Sequence, residues 1–299
     1  MQDKKLVILA LIIANIIWGA AAPIFKWTLT DISPFALAFS RFFIASLILF
    51  PFALRNLKIE RKDLKELFLL SFFGITINIS FFFYGLQFSP SINAPVIASS
   101  GPIFLILLGI LFLKEHPKRK VILGTLLSLF GVILIVAEPI FRNGFDSSVL
   151  GNLFFVLATV GAVGYAIFSK KIVGKYQAVT VTFWSFVIGA ISFIPLLIYE
   201  MSQPNFSFQL GTAGLSGLVF GVFFSSALAY FLYIWSIKKL PVSEIGVFIY
   251  LDPIVAVLIA IPLLGEVITL PYLIGTAFVF LGIFIAEGRL PYHPLHKLR

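Results

Sequence analysis

The chain has 299 residues, of which 60% are hydrophobic and only 12% charged, and its formal net charge is +9. Soluble domains carry roughly twice that share of charged residues, and no segment between the apolar runs is long enough to fold as a soluble catalytic or nucleic-acid-binding domain. The absence of Cys removes disulfides and thiolate metal sites. The three His residues, His116, His293 and His296, all fall in polar segments, so no His-based metal site is expected within the apolar runs.

Ten apolar runs can be read, at about 6–26, 34–54, 67–87, 92–113, 120–138, 150–169, 178–199, 211–237, 243–264 and 271–287. Most reach the roughly 20 residues that a bilayer core requires, which predicts an all-α integral membrane protein. The first run follows Lys4 and Lys5 and resembles a signal peptide. Its length, and Pro23 directly after Ala20-Ala21-Ala22, argue for an uncleaved first helix. This span carries Asn15, Trp18, Ala22 and Lys26 at spacings of 3, 4 and 4, which share one helix face. A polar stripe on a membrane helix points away from lipid. Asn15 and Trp18 therefore line a cavity or bond to neighbouring helices, and Lys26 reads as an outer-surface charge.

The second span holds Arg41, a buried cation that binds a substrate carboxylate, pairs with an acid, or packs and snorkels. Asn78 in the third span and Trp184 in the seventh are further cavity candidates. The eighth carries Ser226, Tyr230 and Tyr233 on one face, after the small residues Gly211, Gly214, Gly217 and Gly221 that permit close helix contact. Tyr84 and Trp235 fit an interfacial aromatic belt. In the ninth span Glu244 reads as a solvated acid at the helix start, and Asp252 lies ten residues in, near the midplane. An ionisable group there costs at least about 2–3 kcal/mol and marks a functional site by default. It is a candidate proton carrier, or else a locally bonded Asp preceding Pro253. Pro102 and Pro253 each remove a backbone donor and are expected to break the fourth and ninth helices. Glu115 and Glu266 end those two spans and read as caps or gate tethers.

The cationic residues fall on alternate sides of the ten runs. One set of gaps holds 19 of the 22 Lys and Arg residues, the other only Lys26 and Arg142, and Arg41 lies within a span. Short Lys- and Arg-rich loops stay in the cytoplasm. Ten crossings with both termini cytoplasmic follow as expectations.

An internal repeat is visible at an offset of 151. Pro90 matches Pro241, Pro102 matches Pro253, and Glu115 matches Glu266. Gly124-Thr125 matches Gly275-Thr276, and Gly131 matches Gly282. Earlier helices align at an offset of 144, which pairs Pro51 with Pro195 and Phe39 with Phe183. Five helices per half place the halves in opposite orientations, the symmetry on which many secondary transporters are built.

The segments NIIWGAAAPIFKW, RFFIASLIL, PIFLILLGILFLKEHPKRKVILGTLLSLFGVILI and PIVAVLIAIPLLGEVITLPYLIGTAFVFLGIFIA resemble the EamA-type permeases of the drug/metabolite transporter superfamily. The resemblance covers nearly the whole chain. It implies ten transmembrane helices in two inverted five-helix EamA repeats, 1–144 and 145–290, with a cytoplasmic tail at 291–299. It also implies transport of small metabolites, often outward across the bacterial inner membrane. Amino acids, purines and organic cations are among the solutes of such families.

No nucleophile elbow, zinc-protease helix, Walker A loop or acidic metal cluster is present. The expected function is that of a secondary transporter, an exporter of small organic metabolites such as amino acids. It works by alternating access with protons as a possible partner, and requires no cofactor and no metal. A channel or scramblase-like facilitator, and then a membrane-embedded enzyme, are the alternatives.

Overall fold

The structure, a computed structural model, describes residues 2–104, 119–143, 146–239 and 246–287. Nearly all of these are helical, and the isolated bridge between Ile32 and Phe208 is the one β pairing among the described residues. The helices are α1 (Gln2–Thr28), α2 (Pro34–Ala53), α3 (64–88), α4 (Asn93–Ser99 with a further turn at 101–104), α5 (Arg119–Asn143), α6 (Ser147–Val173), α7 (Ala178–Met201), α8 (212–237), α9 (Asp252–Leu264) and α10 (Leu270–Glu287). Among the described residues seven helices are long and apolar enough to cross a membrane, and the segments Phe248–Leu264 and Leu270–Ala286 are shorter apolar helices. The expected span at 92–113 runs into residues outside those described. This is a multi-pass membrane protein, with large apolar side chains such as Phe52, Leu258 and Leu126 on its outer surface, where lipid rather than water is the solvent.

α3 and α8 are not regular. Each contains a π-helical stretch, Phe72–Ile77 in α3 and Phe220–Leu228 in α8. Adding the repeat offset of 151 to 72–77 gives 223–228, which lies within the second stretch. The same irregularity is therefore built into both halves. π-bulges shift carbonyls off the i→i−4 ladder and recur at functional sites.

α4 and the segment leading into α9 are broken at matching points. In α4 a turn at Ser100 separates Asn93–Ser99 from 101–104, with Pro102 just past the break. In the second half a 3-10 segment, Gly246–Leu251, gives way to the α-helix that begins at Asp252. Ser100 and Leu251 are 151 apart. The breaks lie two residues before Pro102 and Pro253, leaving each proline in the first turn of the helical segment that follows. A missing N–H costs nothing there, and the residue before a proline is disfavoured in a continuing helix.

The halves meet through reciprocal contacts. A Cβ on Gly131 would lie 2.5 Å from the Gly275 carbonyl oxygen, and one on Gly282 would lie 2.5 Å from that of Gly124. Gly124 is the repeat mate of Gly275, and Gly131 of Gly282, so the contact between α5 and α10 reads the same from either side. That is the form an isologous two-fold contact takes. The small residues of both GT…G motifs are thus explained by backbone-to-backbone approach. Phe42 and Phe186, 144 apart in sequence, touch with ring centroids 5.2 Å apart. A residue touching its own mate lies on the pseudo-two-fold axis.

Candidate functional site

Beside this axis four aromatic rings from three helices form a closed circuit. Trp18 of α1 meets Tyr230 and Tyr233 of α8 at centroid distances of 5.3 and 5.1 Å. Tyr165 of α6 meets the same two tyrosines at 5.7 and 6.2 Å. Trp18–Tyr230 and Tyr165–Tyr230 are edge-to-face and Tyr165–Tyr233 is stacked, and aromatic pairs of these kinds each stabilise by roughly 0.5–1.5 kcal/mol beyond burial. Tyr230 also turns its ring against Phe42 and Phe186, at 6.1 and 5.4 Å, which ties the circuit to the axis.

The two π stretches present repeat-matched carbonyls to this group. Trp18 Nε1 donates to the Ser225 oxygen at 3.3 Å. Tyr230 Oη lies 3.5 Å from the Gly74 oxygen, at the outer limit of a hydrogen bond. Gly74 and Ser225 are 151 apart. Gly74 has no room for a side chain, because a Cβ there would meet the Tyr165 ring.

The backbone of Asp252 packs against α1 at Gly19, the residue after Trp18. Asp252 opens α9, and a Cβ on Gly19 would lie 2.7 Å from the Asp252 carbonyl oxygen. Asp252 is buried, at 8% exposure. Its Oδ1 and the Tyr165 hydroxyl have no hydrogen-bond partner among the described residues. Leaving such atoms unpaired costs about 1–3 kcal/mol each, and unsatisfied polar groups in native structures call for a functional or solvent-based explanation.

The other residues singled out in the sequence are held by protein partners. Asn15 donates to the Leu11 oxygen at 2.8 Å within its own helix. Asn78 ties α3 to α6 through the Ala158 oxygen at 2.7 Å, and Trp184 donates to the Leu57 oxygen at 2.9 Å. Arg41, 1% exposed, donates to Ser226 Oγ at 3.0 Å and Ser225 Oγ at 3.2 Å. Its guanidinium lies 4.6 Å from the centres of both the Phe25 and Phe42 rings. It anchors the π stretch of α8. Glu115 and Glu244 lie outside the described residues.

The end that the charge pattern assigns to the outside is laced shut. Glu266 Oε1 and Oε2 accept from the backbone N–H groups of Ser91 and Ile92 at 2.7 and 3.1 Å. Lys26 Nζ lies 3.2 Å from Glu266 Oε1 and donates to the Ser89 oxygen at 2.7 Å. Gly265, at φ 66°, ends α9 in the left-handed region that favours glycine, and this turn delivers Glu266 to that position. Glu200, at the end of α7, binds the start of α2 in the same way, accepting from Phe35 N and Ala36 N at 3.1 and 2.9 Å. Asp31 accepts from Gly214 N at 2.8 Å. Carboxylates on exposed helix-start N–H groups are charge-assisted bonds, favoured by the local dipole.

The sequence profile of the EamA-like transporter family matches this chain twice, over residues 5–137 and 149–287. The chain belongs to the EamA-like transporter family. An uncharacterized transporter of Archaeoglobus fulgidus is 30% identical over 94% of this chain and 98% of its own length. An S-adenosylmethionine uptake transporter of Rickettsia conorii is 28% identical over 81% of this chain and 78% of its own. A solved crystal structure with 19% identity covers 96% of this chain and 98% of its own, with a TM-score of 0.65, a likeness of fold. Among the described residues of this EamA-like protein no group of His, Asp and Glu is arranged to hold a metal ion.

Two residues important to the geometry were not singled out in the sequence. Tyr165 sits among small residues, GAVGY, and its repeat mate at the 144 offset is Ala21, so the repeat does not mark it. Its one signal is a lone Tyr on a glycine-rich helix. Glu200 carries no marker in the sequence beyond its place at a helix end. Its signal is burial of a carboxylate beside the Ser33-Pro34 helix start, which only the fold provides.

Proposed function

We propose that this EamA-like protein is a secondary transporter that exports small organic metabolites, amino acids and related amines among them, across the inner membrane. The halves 1–144 and 145–290 exchange access to a common central site, and both termini are cytoplasmic. Trp18, Tyr165, Tyr230 and Tyr233 receive the apolar or cationic part of the solute, since ring faces attract cations within about 6 Å. Asp252 takes its ammonium group or a proton in turn, which couples the two. Arg41 holds the π stretch of α8 in place, and Glu266 latches the outer end in an inward-facing state. Glu115, the repeat mate of Glu266, is the corresponding acid of the inner end.

The observation that carries this reading is the pair of buried, unpartnered polar atoms, Asp252 Oδ1 and Tyr165 Oη, beside the axis that relates the halves. A solute or proton supplies what the protein does not. A relative named for S-adenosylmethionine uptake makes that sulfonium amino acid the first solute to try. In proteoliposomes, internal unlabelled solute should drive saturable counterflow of labelled S-adenosylmethionine or of an amino acid, and a pH gradient should drive net flux. A channel would conduct without counterflow, which would refute the carrier reading. Orientation has its own test in intact cells. Single cysteines at Ser147, Gln203 and Thr269 should label from outside, and those at Lys62, Lys118 and Lys175 should not.

A further inference from the structure

A groove on the lipid-facing surface plays no part in the central site. It has a volume of 740 Å³ and runs along α8 from Phe223 through Phe231 and Trp235 to Lys239, with Leu49 and Phe52 of α2 on its opposite wall. From Phe223 to Lys239 is 16 residue steps, which span roughly 24 Å at about 1.5 Å each. That exceeds half of a roughly 30 Å hydrocarbon core, so the groove follows one leaflet from its middle to the headgroups. At the basic end its wall includes Gln177, Lys238 and Lys239. Gln177 also lines a second, polar hollow of 440 Å³, walled by Arg55, Lys58, Lys175 and Tyr176. An apolar channel and a cationic hollow therefore join at one residue.

The charges at this junction are unequally matched. Lys175 is neutralised by Asp63 at 2.5 Å. Lys238 reaches only the Tyr176 carbonyl, at 3.3 Å, and Lys239 lies over the Trp235 ring at 4.2 Å. Arg55 and Lys58 are exposed and have no carboxylate partner among the described residues. Four cations thus surround the mouth of an acyl-sized groove without a matching acid. Neither a soluble anion nor an apolar solute uses both parts. An amphiphile with a phosphate at one end and a hydrocarbon chain at the other does, and basic hollows between helices on the cytoplasmic side are where such headgroups bind.

We propose that this composite site holds one anionic glycerophospholipid of the cytoplasmic leaflet, its acyl chain along α8 and its phosphate among Arg55, Lys58, Lys238 and Lys239. The leaflet assignment rests on the orientation proposed above. The bound lipid bridges α2, α7 and α8, and so links elements of the two halves.

The test is native mass spectrometry of the detergent-solubilised full chain with equal amounts of phosphatidylglycerol and phosphatidylcholine. One phosphatidylglycerol should be retained, with a preference of about tenfold or more. Replacing the four cations by glutamine should abolish the preference while circular dichroism stays that of the folded protein. Should that variant fail to fold, Ala227→Trp, which fills the groove and leaves the charges intact, should lose the retained lipid instead. Equal retention of both lipids by the wild type, or a preference that survives whichever variant folds, overturns the proposal. Outside labelling of a cysteine at Lys58 would overturn the orientation alone, because lipid preference in detergent does not depend on it.

Discussion

The end of the bundle that the charge pattern assigns to the outside and the bundle's centre treat carboxylates in opposite ways. At the outer end Glu266, Glu200 and Asp31 each accept from backbone N–H groups, and Lys26 has both a carboxylate and a carbonyl. At the centre Asp252 Oδ1 and the Tyr165 hydroxyl have no partner among the described residues. Paired groups hold a conformation. Unpaired ones are costly unless something else completes them. The contrast separates a latch from a binding site, and it predicts that substitutions in the two regions fail differently.

Trp18→Ala should have the largest effect on solute binding, because it removes one of the ring faces proposed to receive the solute. A loss of about 2–3 kcal/mol in solute binding, roughly 30- to 150-fold in affinity, is expected without a comparable fall in thermal stability. Binding to purified protein, measured beside its melting temperature, checks this. Equal losses in both would make Trp18 a packing residue and erase the contrast.

Glu266→Ala should be the next largest. It strands two backbone donors and removes the carboxylate partner of Lys26, a bias of about 2–3 kcal/mol toward an open outer end. The chain has no native cysteine, so a single cysteine at Ala94 reports this cleanly. Its labelling from outside should accelerate by at least about tenfold, with solute affinity nearly kept. Unchanged labelling would show that the carboxylate does not hold the end closed. Glu200→Ala removes two backbone bonds and no ammonium, so about 1–2 kcal/mol is expected. A larger labelling response than that of Glu266→Ala would reverse the ranking.

The smallest effect should come from Lys175→Gln, at the surface that the charge pattern assigns to the cytoplasm. The Asp63 carboxylate holds the Lys175 ammonium above its ordinary pKa. A raised pKa gives a contribution that is present below the unfolded value and lost only as pH climbs through the folded one. The wild type and Lys175→Gln should therefore differ in melting temperature by the same small amount at about pH 6 and about pH 9. A gap that closes between those values would contradict the ion pair.

Much of this was legible in the residues, for identifiable reasons. Apolar runs and Lys/Arg placement follow from the energetics of the bilayer, which act on each segment locally. The register of Pro90, Pro102, Glu115, Gly124 and Gly131 against their mates survives as plain identities, so the two halves were visible. What was not visible depends on contacts between distant segments. The π stretches are written in ordinary apolar residues, FFGITI and FGVFFSSAL, with no local marker. Arg41 left binding and packing both open until Phe25, Phe42, Ser225 and Ser226 closed around it. Asn15 and Asn78 look like cavity groups in a helical wheel, yet a helix carbonyl satisfies each. Trp18, Tyr230 and Tyr233 were named on two separate helices, but Tyr165, which completes their circuit, carried no pattern.

The central claim is that Asp252 couples solute movement to protons from inside the ring-lined site. Its most direct test compares wild-type protein with Asp252→Asn in proteoliposomes carrying a pH gradient and a labelled solute that the wild type transports. Asn keeps the shape and an accepting oxygen but cannot carry the proton. The account predicts that solute counterflow survives in Asp252→Asn while the pH gradient no longer drives net flux. Wild-type pH-driven transport by Asp252→Asn would contradict it.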